Sequence, residues 1–266
     1  MMRRARPVLT VIGSGTLVPS ARRSSPCHLL EAGDMVLLLD AGPGAVHGMA
    51  RHGKSWQDVT HLVLTHFHTD HFGDLPHLLF ALKWAVPSPR SRPLAVIGPP
   101  GLRTRIEALA VAHGDFILLP GFPLAYHEVA RDGSWTDGSV TLRFAPTPHT
   151  DHSVAVRVEE GGCAVGYTGD TGPETALGDL FRGCALLISE CAEPDPPVMG
   201  NHLSPASVAA LARAARPDTL VLTHLYPPLD AAAVPGLVRD AGFAGRVVCA
   251  RDGQEFRIGE QGDPCS

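Results

Sequence analysis

Apolar and polar positions along the chain sort into short buried-strand runs, each ending on a residue able to bind metal or move a proton. Val36-Leu-Leu-Leu39 runs into Asp40 and Leu62-Val-Leu-Thr65 into His66. Val140–Phe144 alternates and leads to His149, and Ala164-Val-Gly-Tyr167 leads to Asp170. Leu186–Ile188 leads to Glu190, and Leu220-Val-Leu-Thr223 runs into His224. Runs this short suit strands buried in a sheet, and α/β sheets gather their chemistry at the C-terminal ends of such strands. Helices are predicted at Leu75–Trp84, Thr104–Ala112, Ala206–Ala215 and Ala231–Arg239. The third carries its own start signal, Ser204 as N-cap and Pro205 at the first helical position, and Arg216-Pro217 ends it. The Leu75–Trp84 helix bears more apolar side chains than one buried face needs, so either a lid or a homodimer surface is expected there beside core packing.

Two of the runs nearly repeat. His61-Leu-Val-Leu-Thr-His66 and Thr219-Leu-Val-Leu-Thr-His224 each place a histidine just beyond a strand, which points to two related β-rich halves facing a shared site. No low-complexity tract or linker divides the 266 residues, and the proline-rich stretch Glu193–Pro197 reads as a loop, so a single domain over 1–266 is expected.

Composition narrows the function. Hydrophobic residues make up 44% and charged residues 18%, enough for a large core and far from a disordered composition. A formal charge of -5, with lysine only at Lys54 and Lys83, argues against a broad nucleic-acid-binding face. The basic run Arg3-Arg4-Ala5-Arg6 is too short to form one. Six cysteines, Cys27, Cys163, Cys184, Cys191, Cys249 and Cys265, show no C-x-x-C pair, and Pro7–Ile12 is too short for a signal-peptide core. A cytoplasmic protein with no membrane span is the expectation.

The densest chemistry is Thr65-His-Phe-His-Thr-Asp-His-Phe-Gly-Asp74, which puts His66, His68, Asp70 and His71 within six positions. Consecutive side chains on an extended segment alternate faces, so four ligands this close suit two ions held by a turn. His66 and His68 would hold one ion, Asp70 and His71 the other. Imidazole and carboxylate without thiolate favour Zn²⁺, with Mn²⁺ or Fe as alternatives.

The H-x-H-x-D-H pattern at 66–71 resembles that of the metallo-β-lactamase superfamily, and the resemblance covers nearly the whole chain. It implies an α/β fold, a four-layer αββα sandwich. It also implies a two-metal site, with His66, His68 and His149 on one ion, Asp70, His71 and His224 on the other, and Asp170 bridging. Asp40 would orient a ligand imidazole from behind. His152, three residues beyond His149, stays an alternative to it. Gly13-Ser-Gly-Thr16, Gly73-Asp-Leu-Pro76 and His202-Leu-Ser204 are similar to the ribonuclease Z-like and phosphodiesterase branch, which implies an acid–histidine pair formed by Glu190 and His202 beside the substrate phosphate. His68 stands where the diiron branch carries Glu, and Asp170 where true β-lactamases place Cys. The 21 positions from His149 to Asp170 leave no room for the tRNA-gripping arm of that branch. The expected activity is hydrolysis of small phosphodiesters by a metal-bridging hydroxide, with His202, Glu190 and Asp70 as catalytic groups. Carboxylic ester, thioester or lactone hydrolysis, a nuclease, and a non-catalytic metal-binding module are the alternatives.

Overall fold

The computed structural model describes residues 6–227 and 229–259; Arg3, Arg4 and Cys265 lie outside them. The described residues form two compact units, one of 6–129 together with Asp252–Phe256, the other of Ala130–Arg251 with 257–259.

In the first unit β1 (Val8–Gly13), β2 (Cys27–Ala32) and β3 (Met35–Leu39) form an antiparallel meander. Parallel pairing then adds β4 (His61–Val63), β5 (Leu94–Gly98) and β6 (Leu124–Glu128). Parallel neighbours require crossover connections. Helix α1 (Ala45–Arg51) lies between β3 and β4, α2 (Thr69–Phe72) and α3 (Leu75–Trp84) between β4 and β5, and α4 (Leu102–His113) between β5 and β6. The strand Glu255–Arg257 returns to flank β1, giving a seven-stranded sheet among the described residues. Leu38, Met49, Leu62, Leu79 and Val96 pack its core.

The second unit follows the same plan. β7 (Ser134–Asp137), β8 (Val140–Pro146), β9 (Val154–Glu160) and β10 (Cys163–Tyr167) pair antiparallel. β11 (Leu186–Glu190), β12 (Thr219–Thr223) and β13 (Arg246–Cys249) then pair parallel. The crossovers carry α5 (Ala176–Leu180), α6 (Pro205–Ala215) and α7 (Val234–Asp240). Phe181, Leu187, Val208, Leu220 and Val238 fill the core. The near-repeated hexapeptides thus occupy β4 and β12, a parallel strand in each sheet.

Expectation and structure agree on α3 residue for residue. At α6, Ser204 accepts the Ser207 N–H and the Ser207 side chain caps back, forming a reciprocal capping box. Other boundaries differ, among them α4, which runs Leu102–His113 rather than Thr104–Ala112. The β4 ladder stops at Val63, not Thr65, because the Thr65 N–H is taken by the Asp40 carboxylate. Helix α7 begins at Val234, not Ala231, because Asp230 folds the preceding turn, its carboxylate accepting from the Ala232 N–H. On α3 the core takes Leu78, Leu79 and Leu82, leaving Phe80 51% and Trp84 54% exposed and packed on each other and on Phe116. No helix among the described residues is long and apolar enough to cross a membrane.

Candidate metal centre

In the first unit the site is organised from Asp40, which follows β3 in the left-handed backbone region at φ 59° and is fully buried. Its carboxylate accepts from the Thr65 N–H at 2.8 Å, the Thr65 hydroxyl at 2.8 Å and His71 Nδ1 at 2.7 Å. A carboxylate only accepts, so His71 carries its proton on Nδ1 and presents the Nε2 lone pair. The same logic reaches His66 through Thr65. With its hydroxyl hydrogen directed to Asp40, Thr65 Oγ1 accepts from His66 Nδ1 at 3.1 Å, which again puts the lone pair on Nε2. One buried acid therefore sets the tautomers of two imidazoles.

The helical turn α2 brings the rest of the motif onto this pair. His68 is its N-cap, and its ring meets His66 edge-on at 4.8 Å, while the His66 and His71 rings lie 4.2 Å apart. Asp70 Oδ2 stands 3.7 Å from His71 Nε2. The turn seats closely against the loop after β3. A Cβ on Gly42 would fall 1.9 Å from the Asp70 carbonyl oxygen, so only glycine fits there.

In the second unit Asp170 leaves β10 through Thr168-Gly169, where Gly169 has φ 55°. Thr147 Oγ1 donates to the Asp170 carbonyl at 3.0 Å, fixing its backbone. Asp170 Oδ2 lies 3.7 Å from His149 Nε2 and 3.5 Å from His224 Nε2. His149 donates its Nδ1 hydrogen to the Asn201 carbonyl at 3.1 Å, which turns Nε2 toward the acid. His224 follows β12 at φ 55°, a second left-handed residue at a strand end.

Glu190, at the end of β11, is fully buried and accepts from His202 Nδ1 at 3.0 Å, the Thr171 N–H at 2.6 Å and the Leu203 N–H at 3.1 Å. Burial lifts its carboxyl above the ordinary range, against the His202 hydrogen bond. Burial alone would lower the His202 imidazole. The Glu190 hydrogen bond and charge, helped by Asp170, outweigh it and raise the ring above its ordinary value. The acid–imidazole pair expected from the sequence is thus formed, with His202 stacked on His224 at 5.7 Å between ring centroids.

Within each unit the donors fit a divalent metal. The 3.5–3.7 Å separations exceed hydrogen-bond length. They match the roughly 3.4 Å expected between two ligand atoms on a tetrahedral zinc with bonds of about 2.0–2.1 Å. Asp170, His202 and His224 present donor atoms within 4.8 Å of one another, so His202 is close to anything bound at Asp170. Sequence reasoning missed Thr65, whose hydroxyl links Asp40 to His66, and the Asn201 carbonyl behind His149. Thr65 directly precedes the motif and could have been suspected. A backbone carbonyl leaves no mark in a sequence.

Residues 36–225 match the family described as "Beta-lactamase superfamily domain". Ribonuclease Z of Mycobacterium sp. (strain KMS) is 34% identical over 242 residues, spanning 83% of this chain and 85% of that protein. Among solved structures, the metallo-beta-lactamase fold protein YhfI from Bacillus subtilis aligns with a TM-score of 0.83 at 23% identity, covering 94% of this chain and 99% of that one. Human tRNase Z, short form, aligns with a TM-score of 0.76 at 23% identity, with the same coverage. These two likenesses show the α/β fold expected from the motif.

Proposed function

The chain belongs to the β-lactamase superfamily as a ribonuclease Z-like, metal-dependent hydrolase, and from that premise we propose that it cleaves the phosphodiester bonds of small substrates. The proposed ligands are those the sequence motif implies: His66, His68 and His149 for one ion, Asp70, His71 and His224 for the other, and Asp170 for both. The domain is taken as one, over 1–266. The observation that carries the reading is Asp170 Oδ2 close to two imidazole nitrogens, at 3.7 and 3.5 Å, which supports a bridging role for this acid.

Bound there, two divalent cations, zinc by donor chemistry, would supply a hydroxide near neutral pH and polarise the scissile phosphate. The chain's own residues do the rest. Asp40 holds the ligand imidazoles of His66 and His71 in one tautomer. His202, held by Glu190, meets negative charge on the phosphoryl oxygens and hands a proton to the departing alcohol.

A small substrate is favoured by the scarcity of lysine and by the short connection from His149 to Asp170. That connection is only β9, the Gly161–Gly162 turn and β10. A second reading, a ribonuclease Z-like nuclease, is favoured by the 34% identity to a ribonuclease Z. A steep fall of RNA binding with salt would support it. The test of the first is turnover of bis(p-nitrophenyl) phosphate alongside metal content. Asp170→Ala and His66→Ala should lose both, and His202→Ala should lose turnover with its metal retained. Wild-type turnover in Asp170→Ala and His66→Ala would overturn the two-metal reading. We also propose that the exposed Phe80–Trp84 face of α3 pairs two copies of the chain, so wild type should sediment as a dimer and Trp84→Glu as a monomer.

A further inference from the structure

We propose that a cavity of about 690 Å³ in the first unit, beside His68 and Asp70, is a subsite for the alcohol half of the substrate. We propose further that it selects a cyclic, apolar alcohol, and that Asp252 is the positioning residue holding its wall. The inference rests on the phosphodiesterase reading for the reacting group and adds the class of alcohol.

Size is the first argument. The volume lies in the range of about 300–1,000 Å³ typical of small organic ligands. Lining is the second. Leu17, Val18, Pro19 and Pro43 line it, together with Ser24 and Ser25. Leu17 is 63% exposed and Val18 38%, so two apolar side chains stand in water next to metal-ligand residues of the motif. The one cation in the lining, Arg23, donates to Ser14 Oγ at 2.8 Å. Such a wall offers an apolar ring a surface and offers a polyanion little.

Rigidity is the third argument. Asp252 Oδ1 accepts from the Ser14 N–H at 2.9 Å and the Ser14 hydroxyl at 2.7 Å, and Oδ2 accepts from the Ser24 N–H at 2.6 Å. The Gly15 N–H donates to the Ser24 carbonyl at 2.7 Å. A Cβ on Gly13 would fall 1.9 Å from the Ser25 carbonyl oxygen, so the two segments pack backbone to backbone. One carboxylate thus ties both ends of the Leu17–Val18 loop, and a loop held in its binding shape loses little entropy when ligand arrives.

The test is binding of 2-naphthol, followed by fluorescence, to the full-length protein with its metals and after chelation, with myo-inositol as the polar control. Wild type should bind 2-naphthol and not myo-inositol. Leu17→Ala/Val18→Ala should bind about tenfold more weakly, from the loss of contact worth about two buried methylenes. Asp252→Ala should weaken binding more than Asp252→Asn, which keeps one acceptor oxygen, and should raise KM for bis(p-nitrophenyl) phosphate more than it lowers kcat. Equal 2-naphthol affinity in wild type and the Leu17/Val18 variant, which leaves the Asp252 contacts intact, overturns the subsite even if turnover persists. Binding in the expected order, by a metal-loaded protein that cleaves no phosphodiester, supports the cavity assignment and overturns the reaction reading instead.

Discussion

Replacing Asp40 separates two jobs that one side chain performs. In Asp40→Ala, the Thr65 N–H and His71 Nδ1–H lose their acceptor inside the fold, while the Thr65 hydroxyl can rotate away. Each stranded donor costs about 1–3 kcal/mol. An alanine at φ 59° adds about 1–2 kcal/mol of backbone strain. The sum, roughly 3–8 kcal/mol, is a large share of the 5–15 kcal/mol by which domains are usually stable. Asp40→Asn differs in kind. Asparagine tolerates the left-handed backbone, and its oxygen can still accept from Thr65. Its amide group then faces His71 Nδ1 as a donor, which favours the imidazole tautomer protonated on Nε2. Stability should change little while metal affinity falls about 10–100-fold, the usual cost of losing a partner behind a ligand. Urea unfolding of both variants and zinc competition with a chromophoric chelator measure the split. An Asp40→Asn protein that binds zinc as wild type does, or an Asp40→Ala protein with an unchanged urea midpoint, refutes the reasoning.

Two further outcomes follow from close packing and burial. Gly42→Ala drives a methyl into the Asp70 carbonyl and to 2.7 Å from Ser25 Cβ, so it should cost about 1–3 kcal/mol. Calorimetry should find Tm lower by roughly 2–12 °C, and an unchanged Tm would refute that contact. Burial pushes the Cys184 thiol from an ordinary 9.0 up to about 12, so the folded protein holds that proton more tightly than the unfolded chain. Its contribution is complete below about pH 9 and drains away as pH rises toward 12. Cys184→Ala should therefore flatten the fall of the urea midpoint between pH 9 and 11, and parallel curves would refute this.

Much of the site was legible because its chemistry sits at strand ends, where apolar runs stop. Asp40, His66, Asp170, Glu190 and His224 each end such a run; in the structure Glu190 closes β11 and the other four come within three residues of a strand's end. The pairing of Glu190 with His202 came from resemblance, since a separation of twelve positions carries no spacing rule; the fold supplies it by setting the N-cap loop of α6 against β11. What stayed hidden were contacts made by backbone or by remote residues. Asn201 acts through its carbonyl, Thr171 and Leu203 through N–H groups, and Asp252 reaches Ser14 across 238 positions. Helix propensity in Ala231–Ala233 was real but local, and the Asp230 side chain outcompeted it.

The bond from Ser14 to Asp252, together with the returning strand Glu255–Arg257, gives the first unit an order of assembly. Its opening strands leave the ribosome early, yet their edge partner and the acid that clasps the Leu17–Val18 loop follow 238 residues later. At roughly 5–20 residues per second that is a wait of roughly 10–50 s. The second unit is translated within that interval. The half of the molecule begun first therefore waits on residues made after nearly all of the other half, and a nascent chain halted before Asp252 carries an N-terminal half still open along one side.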